Sequence, residues 1–540
     1  MAKDNRFVKG AAILAGAGLV IKVLGAVFRI PLNNWIGALG MSYYSAAYSV
    51  YGALLVLATA GIPVAISRMV SERIAVKQYR NAHQVFRSAL LLLFVIGLIG
   101  FCICFFGGDL IARYFAKNPG SGPALKAISP ALLFVPLFSA FRGYFNGQQN
   151  MTPQALSEIS EQLTRVVVGL TLAYILLDVG KVEAAAGASF GASAGSIMGL
   201  FVIFLIYLAN RRRIKRRMKR GDQTVESTGS LIRQIAIIAI PIIIGTEMYP
   251  MMNLIDTGLV TRVLQNTGWS VTKSEYLYGL IGGFCSPLIA FPQIMTQAVS
   301  VSLVPALSGK HQIGDTEALR DTIRTGYRTT LIMAFPCALG LFSLAEPILK
   351  LLYFTRAKSC EDAAPILMIM AVGVVFLAIM QTSTSVLQAV GKQMLPVRNL
   401  AIGCVGKIIL TYTLVGVHPI NVKGAAIGTV TAYVIAMFLN ARDVRKYTGV
   451  TFDYGLTYVR PLISSLIMAV CAYGIYQLIY LLFAGHSPML VNALAVVVAI
   501  LAAIIIYAVL VLVTKTVTLE ELEENPKGAK LARFIRRLVD

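Results

Sequence analysis

The sequence predicts an all-α, polytopic membrane protein with about fourteen transmembrane helices, organised as two six-helix repeats followed by two further helices. Three observations carry this. Apolar residues make up 57% of the 540 residues and charged ones only 14%, against about a half and a quarter in soluble domains. Apolar runs of about 20 residues, enough to cross a hydrocarbon core, recur along the whole chain. The pattern of the first six runs also returns in the next six.

The first repeat covers spans near 11–36, 43–66, 86–106, 127–146, 154–177 and 187–209. The second covers 231–261, 275–306, 327–348, 363–390, 396–416 and 424–440, and two more runs follow at 459–484 and 489–514. Lipid offers no hydrogen-bond partner to a backbone amide, so helices are the form these runs take. The repeat shows as matched segments in matched order. Ile62-Pro63-Val64-Ala65-Ile66-Ser67 answers Leu303-Val304-Pro305-Ala306-Leu307-Ser308, and at the same offset of 241 residues Arg87 answers Arg328. Gly147-Gln148-Gln149-Asn150-Met151-Thr152-Pro153 answers Gly391-Lys392-Gln393-Met394-Leu395-Pro396, and Gly187-Ala188-Ser189-Phe190-Gly191 answers Gly424-Ala425-Ala426-Ile427-Gly428. Two lobes of one design suit an alternating-access transporter with substrate held at the repeat interface.

The domain reading is therefore residues 1–209 as an N-terminal lobe, 210–230 as a basic cytoplasmic linker, 231–450 as a C-terminal lobe, 451–515 as the last two helices and 516–540 as a cytoplasmic tail. In the tail, Lys530 to Val539 reads as an amphipathic surface helix. Charge sets the orientation. With both termini in the cytoplasm of a cell-membrane protein, the inside segments collect most of the 48 Lys and Arg, as the positive-inside rule requires. The densest run, Arg211 to Arg220, then serves as a topology anchor on anionic membrane lipids, and the net charge of +23 does not point to nucleic acid.

Pro and Gly interrupt several spans: Gly25 and Pro31 in the first, Pro136 in the fourth, Pro241 and Pro250 in the seventh, and Pro287, Pro292 and Pro305 in the eighth. Such breaks are tolerated where neighbours or a wet cavity satisfy the freed backbone groups. The first and seventh spans, which open the two repeats, are over-long and broken, as in helices that line a central cavity and bend.

An ionisable group at membrane depth costs several kcal/mol and marks a functional hypothesis. Lys22 and Arg29 are seven apart on one helix and share a face. They present two positive charges to whatever that helix lines, or Arg29 snorkels to the outer interface. Glu161 and Arg165, one turn apart on the fifth span, either pair with each other or meet substrate. Glu247 and Asp256 on the broken seventh helix balance those cations, bind a coupling cation or take up protons; the sequence leaves the three open. Arg68 and Arg142 stand at cytoplasmic helix ends, as gate or phosphate contacts or as interface anchors, and Pro63 and Pro305 mark equivalent cytoplasmic ends of the second and eighth spans.

Seven Cys, most inside spans, have no metal-ligand spacing and read as small packing residues. Four His lie in loops or near helix ends, and no phosphate-binding loop of the G-x-x-x-x-G-K-[ST] type occurs. The chain is therefore read as a transporter without a cofactor, coupled to membrane potential or a monovalent cation, and not as an enzyme.

The segments Gly61 to Ser67, Arg142-Gly143-Tyr144-Phe145-Asn146-Gly147-Gln148-Gln149-Asn150-Met151-Thr152-Pro153 and Glu161-Gln162-Leu163-Thr164-Arg165 resemble the stage V sporulation protein B branch of the polysaccharide exporters. That branch is similar to MurJ-type lipid II flippases, within the superfamily that holds the multidrug and toxin extruders. The resemblance implies a V-shaped pair of lobes that moves a polyprenyl-diphosphate-linked sugar, lipid II foremost, to the outer leaflet for wall synthesis, beside wall-synthesis machinery. Lys22-Val23-Leu24-Gly25 and Arg29 match the basic first-helix pattern of MurJ-type proteins, with Lys for the first Arg. The further cation those proteins carry in the second helix is absent, since Tyr48 to Thr59 holds no charge. Alternatives are an exporter of another lipid-linked polysaccharide unit, a drug or cation antiporter, and a non-transporting scaffold. The last two helices argue against the antiporter, which needs twelve, and the buried charges against the scaffold.

Overall fold

The computed structural model describes residues 2–220, 226–483 and 485–517, with side chains from Ile13 onward except Ala15, Leu19, Leu57, Arg220, Pro241 and residues 244–249. Lys530 to Val539 and nearly all of the tail lie outside the described residues.

Helix α1 (Ala2–Thr59) runs for 58 residues, about 87 Å at 1.5 Å per residue and far more than one bilayer core. Gly37 breaks it with φ 65° and ψ −171°, a backbone region open essentially to glycine alone. Then follow α2 (Ile62–Ala75), α3 (Tyr79–Phe106), the single turn α4 (Gly108–Leu110) with a π-helical turn over Ile111–Phe115, α5 (Ser121–Gly147), α6 (Thr152–Ile175) and α7 (Lys181–Arg220). The chain continues through α8 (Thr228–Asn266), α9 (Val271–Gly279), a π-helical turn over Leu280–Cys285, α10 (Ser286–Ile313), α11 (Thr316–Ser343), α12 (Ala345–Leu352), α13 (Ala357–Ala389), α14 (Met394–Val415) and α15 (Lys423–Thr448). A π-helical turn over Gly455–Val459 leads into α16 (Arg460–Leu482), and α17 (Pro488–Val513) ends the described helices.

Among the described residues, 10 helices are individually long and apolar enough to cross a membrane, or 11 if α11 and α12, bent by 79°, form one span. That tally takes α1 as one. The expected spans at 154–177 and 231–261 fall on α6, which carries Glu158, Glu161 and Arg165, and on α8, part of whose side chains are not described. The chain is a multi-pass, all-helical membrane protein.

Packing divides the chain into two compact units. The first comprises Met1–Pro287 with Thr411–Val422. Its interior helix is α5, 67% of whose apolar window is buried, and small residues let neighbours approach it closely. A side chain at Gly143 would sit 2.8 Å from the Pro63 carbonyl, one at Gly147 2.7 Å from that of Ser67, and one at Gly97 2.7 Å from that of Leu132. Such small-residue seams replace the hydrophobic drive that lipid does not supply. The basic run read as a linker is helical: α7 carries it to Arg220, with Ile214 buried and Met218 packed on the core of this unit while Arg211, Arg212, Arg213, Lys215 and Arg216 stay exposed.

The second unit comprises Leu288–Leu410 and Lys423–Asp540. Here α13 packs between α11 and α15. A buried row of hydroxyls ties α10, α11 and α13, with Thr330 to Thr382 at 2.9 Å, Ser300 to Thr382 at 3.4 Å and Tyr327 to Ser383 at 2.6 Å. Helices α16 and α17 dock through Leu344, Met468, Ala469, Ala472, Ala499 and Ala503, while the Tyr507 hydroxyl donates to the Ile332 carbonyl at 2.7 Å. All seven cysteines are free thiols.

Candidate functional site

The charged face begins on the first half of α1. Lys22 is exposed and Arg29 half-buried, and between them Gly25 faces α6, where a side chain at Gly25 would lie 3.8 Å from Gln162 Nε2. Among the described residues no ion pair engages either cation's side chain. One turn of α6 completes this region. Arg165 donates from Nη2 to Glu161 Oε1 at 2.8 Å and from Nη1 to the Tyr48 hydroxyl at 3.0 Å. Both members of the ion pair are only 15% exposed, so Arg165 is held in place by two partners from two helices.

Tyr48 belongs to an aromatic stair along α1. Tyr44 and Tyr48 stack with centroids 5.5 Å apart, Tyr48 and Tyr51 lie 5.4 Å apart, and Phe28 reaches Tyr44 at 6.0 Å. Next to Arg29, Phe28 meets α6 as well, since a side chain at Gly169 would lie 2.8 Å from its ring. The structure thus packs α1 on α6 at Gly25, Phe28 and Tyr48, with Glu161 and Arg165 on the α6 side of that contact. Sequence reasoning missed the tyrosines, although residues 44, 48 and 51 share one helical face and could have been read as such.

The other predicted residues lie in different settings. Asp256 is buried on α8 beside the hydrogen-bonded pair Thr257 and Tyr278, whose oxygens are 2.8 Å apart. Glu247 lies outside the described side chains. Arg142 forms an ion pair with Glu158 and lies 5.2 Å from the Phe138 ring centroid; Glu158 also accepts from Gln154 at 2.9 Å, which accepts from Asn146 at 2.6 Å. Arg142 therefore belongs to a partly buried polar chain between α5 and α6. Arg68 pairs with Glu72 at 2.8 Å, with side chains 65% and 55% exposed, an arrangement worth about 0–1 kcal/mol. Pro63 lies in the first turn of α2 against Gly143, and Pro305 is exposed on α10 in the second unit. Among the described residues, no three His, Cys, Asp or Glu side chains converge as a metal site.

What this arrangement offers is positive charge beside an aromatic wall, suited to an anionic head group. Comparison with known proteins agrees. Stage V sporulation protein B of Bacillus subtilis is 26% identical over 97% of this chain and 98% of its own length. The lipid II flippase MurJ of the same organism is 24% identical over 86% of this chain and 87% of its own length. A solved structure of the lipid II flippase MurJ in an inward closed conformation superposes with a TM-score of 0.66 at 17% identity, covering 92% of this chain and 97% of that one, a likeness of fold. The MatE family model matches residues 241–413. The polysaccharide biosynthesis protein family model matches residues 7–311, more than half of the chain, and the protein belongs to that family.

Proposed function

We propose that this protein flips a polyprenyl-diphosphate-linked saccharide, with the peptidoglycan precursor lipid II as the foremost candidate, from the inner to the outer leaflet by alternating access. What supports this reading is that α1, the helix of Lys22 and Arg29, packs on α6 beside the pre-positioned Arg165 in a chain of a flippase-bearing family. A diphosphate is doubly charged, and carrying it through a bilayer requires fixed cations to replace its hydration. The unpaired ammonium of Lys22 serves as a mobile point charge, while Arg29 offers a planar fork for two oxygens. Glu161 and Tyr48 aim Arg165 so that little side-chain freedom is lost when substrate arrives.

In this scheme both termini and the basic extension of α7 are cytoplasmic, and that extension rests on anionic lipid head groups. Asp256 and Glu247 are the acidic groups for coupling to a monovalent cation or to the membrane potential. Gly37 is the point about which the two halves of α1 change their angle.

The test is reconstitution of the full chain into liposomes carrying fluorescent lipid II or, separately, another polyprenyl-diphosphate-linked sugar, with outer-leaflet arrival read by an impermeant quencher. Protein-dependent arrival of one of these lipids is expected. Failure with every lipid-linked sugar, together with drug efflux driven by a cation gradient, would replace this reading with the antiporter.

A further inference from the structure

We propose that the Glu275 carboxyl, held by Tyr43, is a proton-binding site in the outer seam between α1 and α9, through which external pH acts on the helix that carries Lys22 and Arg29. For its effect on transport this rests on the flippase reading and topology above; for the proton it rests on geometry. Glu275 stands in the second turn of α9 and is 4% exposed. The Tyr43 hydroxyl donates to its Oε2 at 3.2 Å, and among the described residues no Lys, Arg or His forms an ion pair with it. Glu158 and Glu161 in the same unit each meet an arginine. A buried carboxylate with one hydroxyl donor and no cation costs several kcal/mol. With a proton it is a neutral acid, which the same hydroxyl satisfies. One carboxyl beside one hydroxyl supplies too few oxygens for a calcium or magnesium ion. The proton is the cation that fits.

The seam keeps the pair enclosed. The Tyr43 ring lies against Gly120, where any side chain would strike it. Its neighbour Ser42 accepts from Asn118 Nδ2 at 2.7 Å, which fixes this stretch of α1 to the segment before α5. Further along the span, a side chain at Gly279 would strike the Ala38 carbonyl, one at Gly282 would lie 2.7 Å from that of Ser45, and one at Gly283 2.5 Å from that of Met41. Asn33 donates to the Gly283 carbonyl in the π-helical turn at 3.1 Å. These contacts fall on both sides of Gly37, so a change of charge at Glu275 is felt where α1 breaks. Few other charged or titratable groups stand near. Besides Tyr43 from α1, α8 brings Asp256, whose charge acts on Tyr278 one turn beyond Glu275, and Arg262, bonded to the Tyr114 carbonyl at 2.6 Å. The π-helical turn brings the buried Cys285 thiol, and on α9 itself Lys273 is exposed and lies 4.6 Å from the Tyr276 ring centroid. Protons have a short way in, because Val271, Thr272 and Lys273, about one turn earlier, are exposed and on the proposed topology face the outside.

The experiment titrates the full chain in lipid nanodiscs between about pH 5 and pH 9 and follows the carboxylic acid C=O stretch by infrared spectroscopy. The parent should lose one such band as pH rises, and Glu275→Gln should lack that band throughout. Tyr43→Phe should keep it at a changed frequency, because its hydrogen bond is gone, and hold it to higher pH, because the carboxylate has lost its donor. That variant serves where Glu275→Gln fails to fold. In liposomes with the lumen at constant pH, parental flipping should change about fivefold or more with outer pH, whereas Glu275→Gln should keep one rate, that of the parent at the acid end. No titrating band in the parent, a band that survives in Glu275→Gln, or one that titrates at the parental pH in Tyr43→Phe overturns the site. A Glu275→Gln variant that follows the parental flipping rate at every outer pH overturns its action on α1. The infrared titration needs no substrate, so a mistaken flippase reading leaves it intact.

Discussion

Arg165 Nη2 lies 2.8 Å from Glu161 Oε1, one turn earlier on α6, and both side chains are 15% exposed. Removing one partner from so enclosed a pair strands the other charge. Glu161→Ala should therefore lower stability by about 3 kcal/mol, read as a drop in the thermal midpoint of the detergent-solubilised protein. The apolar replacement of both, Glu161→Leu/Arg165→Met, should recover most of that stability while flipping stays lost. Recovery of both properties together would make the pair structural only.

Lys22 is exposed and Arg29 half-buried, and no ion pair holds either side chain among the described residues, so their removal should be cheap for folding and costly for transport. Lys22→Ala and Arg29→Ala should melt within about 0.5 kcal/mol of the parent and flip at least about tenfold more slowly. Lys22→Arg should retain activity, because it keeps a cation able to meet phosphate. Parental flipping by both alanine variants would remove the diphosphate role from α1.

Gly37 carries a backbone conformation that other residues reach only with strain. Gly37→Ala should cost about 1–3 kcal/mol and impair flipping, whereas Gly52→Ala, in open space on the same helix, should leave both unchanged. Equal melting of the two variants would show that the break in α1 does not depend on glycine.

Orientation follows from charge and is tested by chemistry. In a cysteine-free background, Val179→Cys between α6 and α7 should react with an impermeant maleimide added to intact cells, and Lys219→Cys at the end of α7 should react only after lysis. The opposite pattern would invert the topology.

The legibility of these features differs with their physics. The spans were readable because lipid demands apolar length and internal hydrogen bonds, both local in sequence. The pairing of Glu161 with Arg165 was readable because four residues along a helix are neighbours. Arg142 was not readable as a partner of Glu158, since nothing local connects α5 to α6 across the turn at Gln149. The grip of Arg165 on Tyr48 spans 117 residues, and that of Tyr43 on Glu275 spans 232.

By itself, then, the sequence determined the helical membrane class, the internal repeat and the presence of cations on the first helix, because composition and period act residue by residue. Only the tertiary structure decided that the helix of those cations packs on α6 beside its tyrosine-held Arg165, that the basic run from Arg211 is a continuation of α7, and that Tyr43 meets Glu275. Those outcomes depend on which helices lie side by side, and apolar helices in lipid are too alike for their surfaces to announce their neighbours. Small residues and a few buried polar bonds make that choice, and these are seen only once the chain is folded.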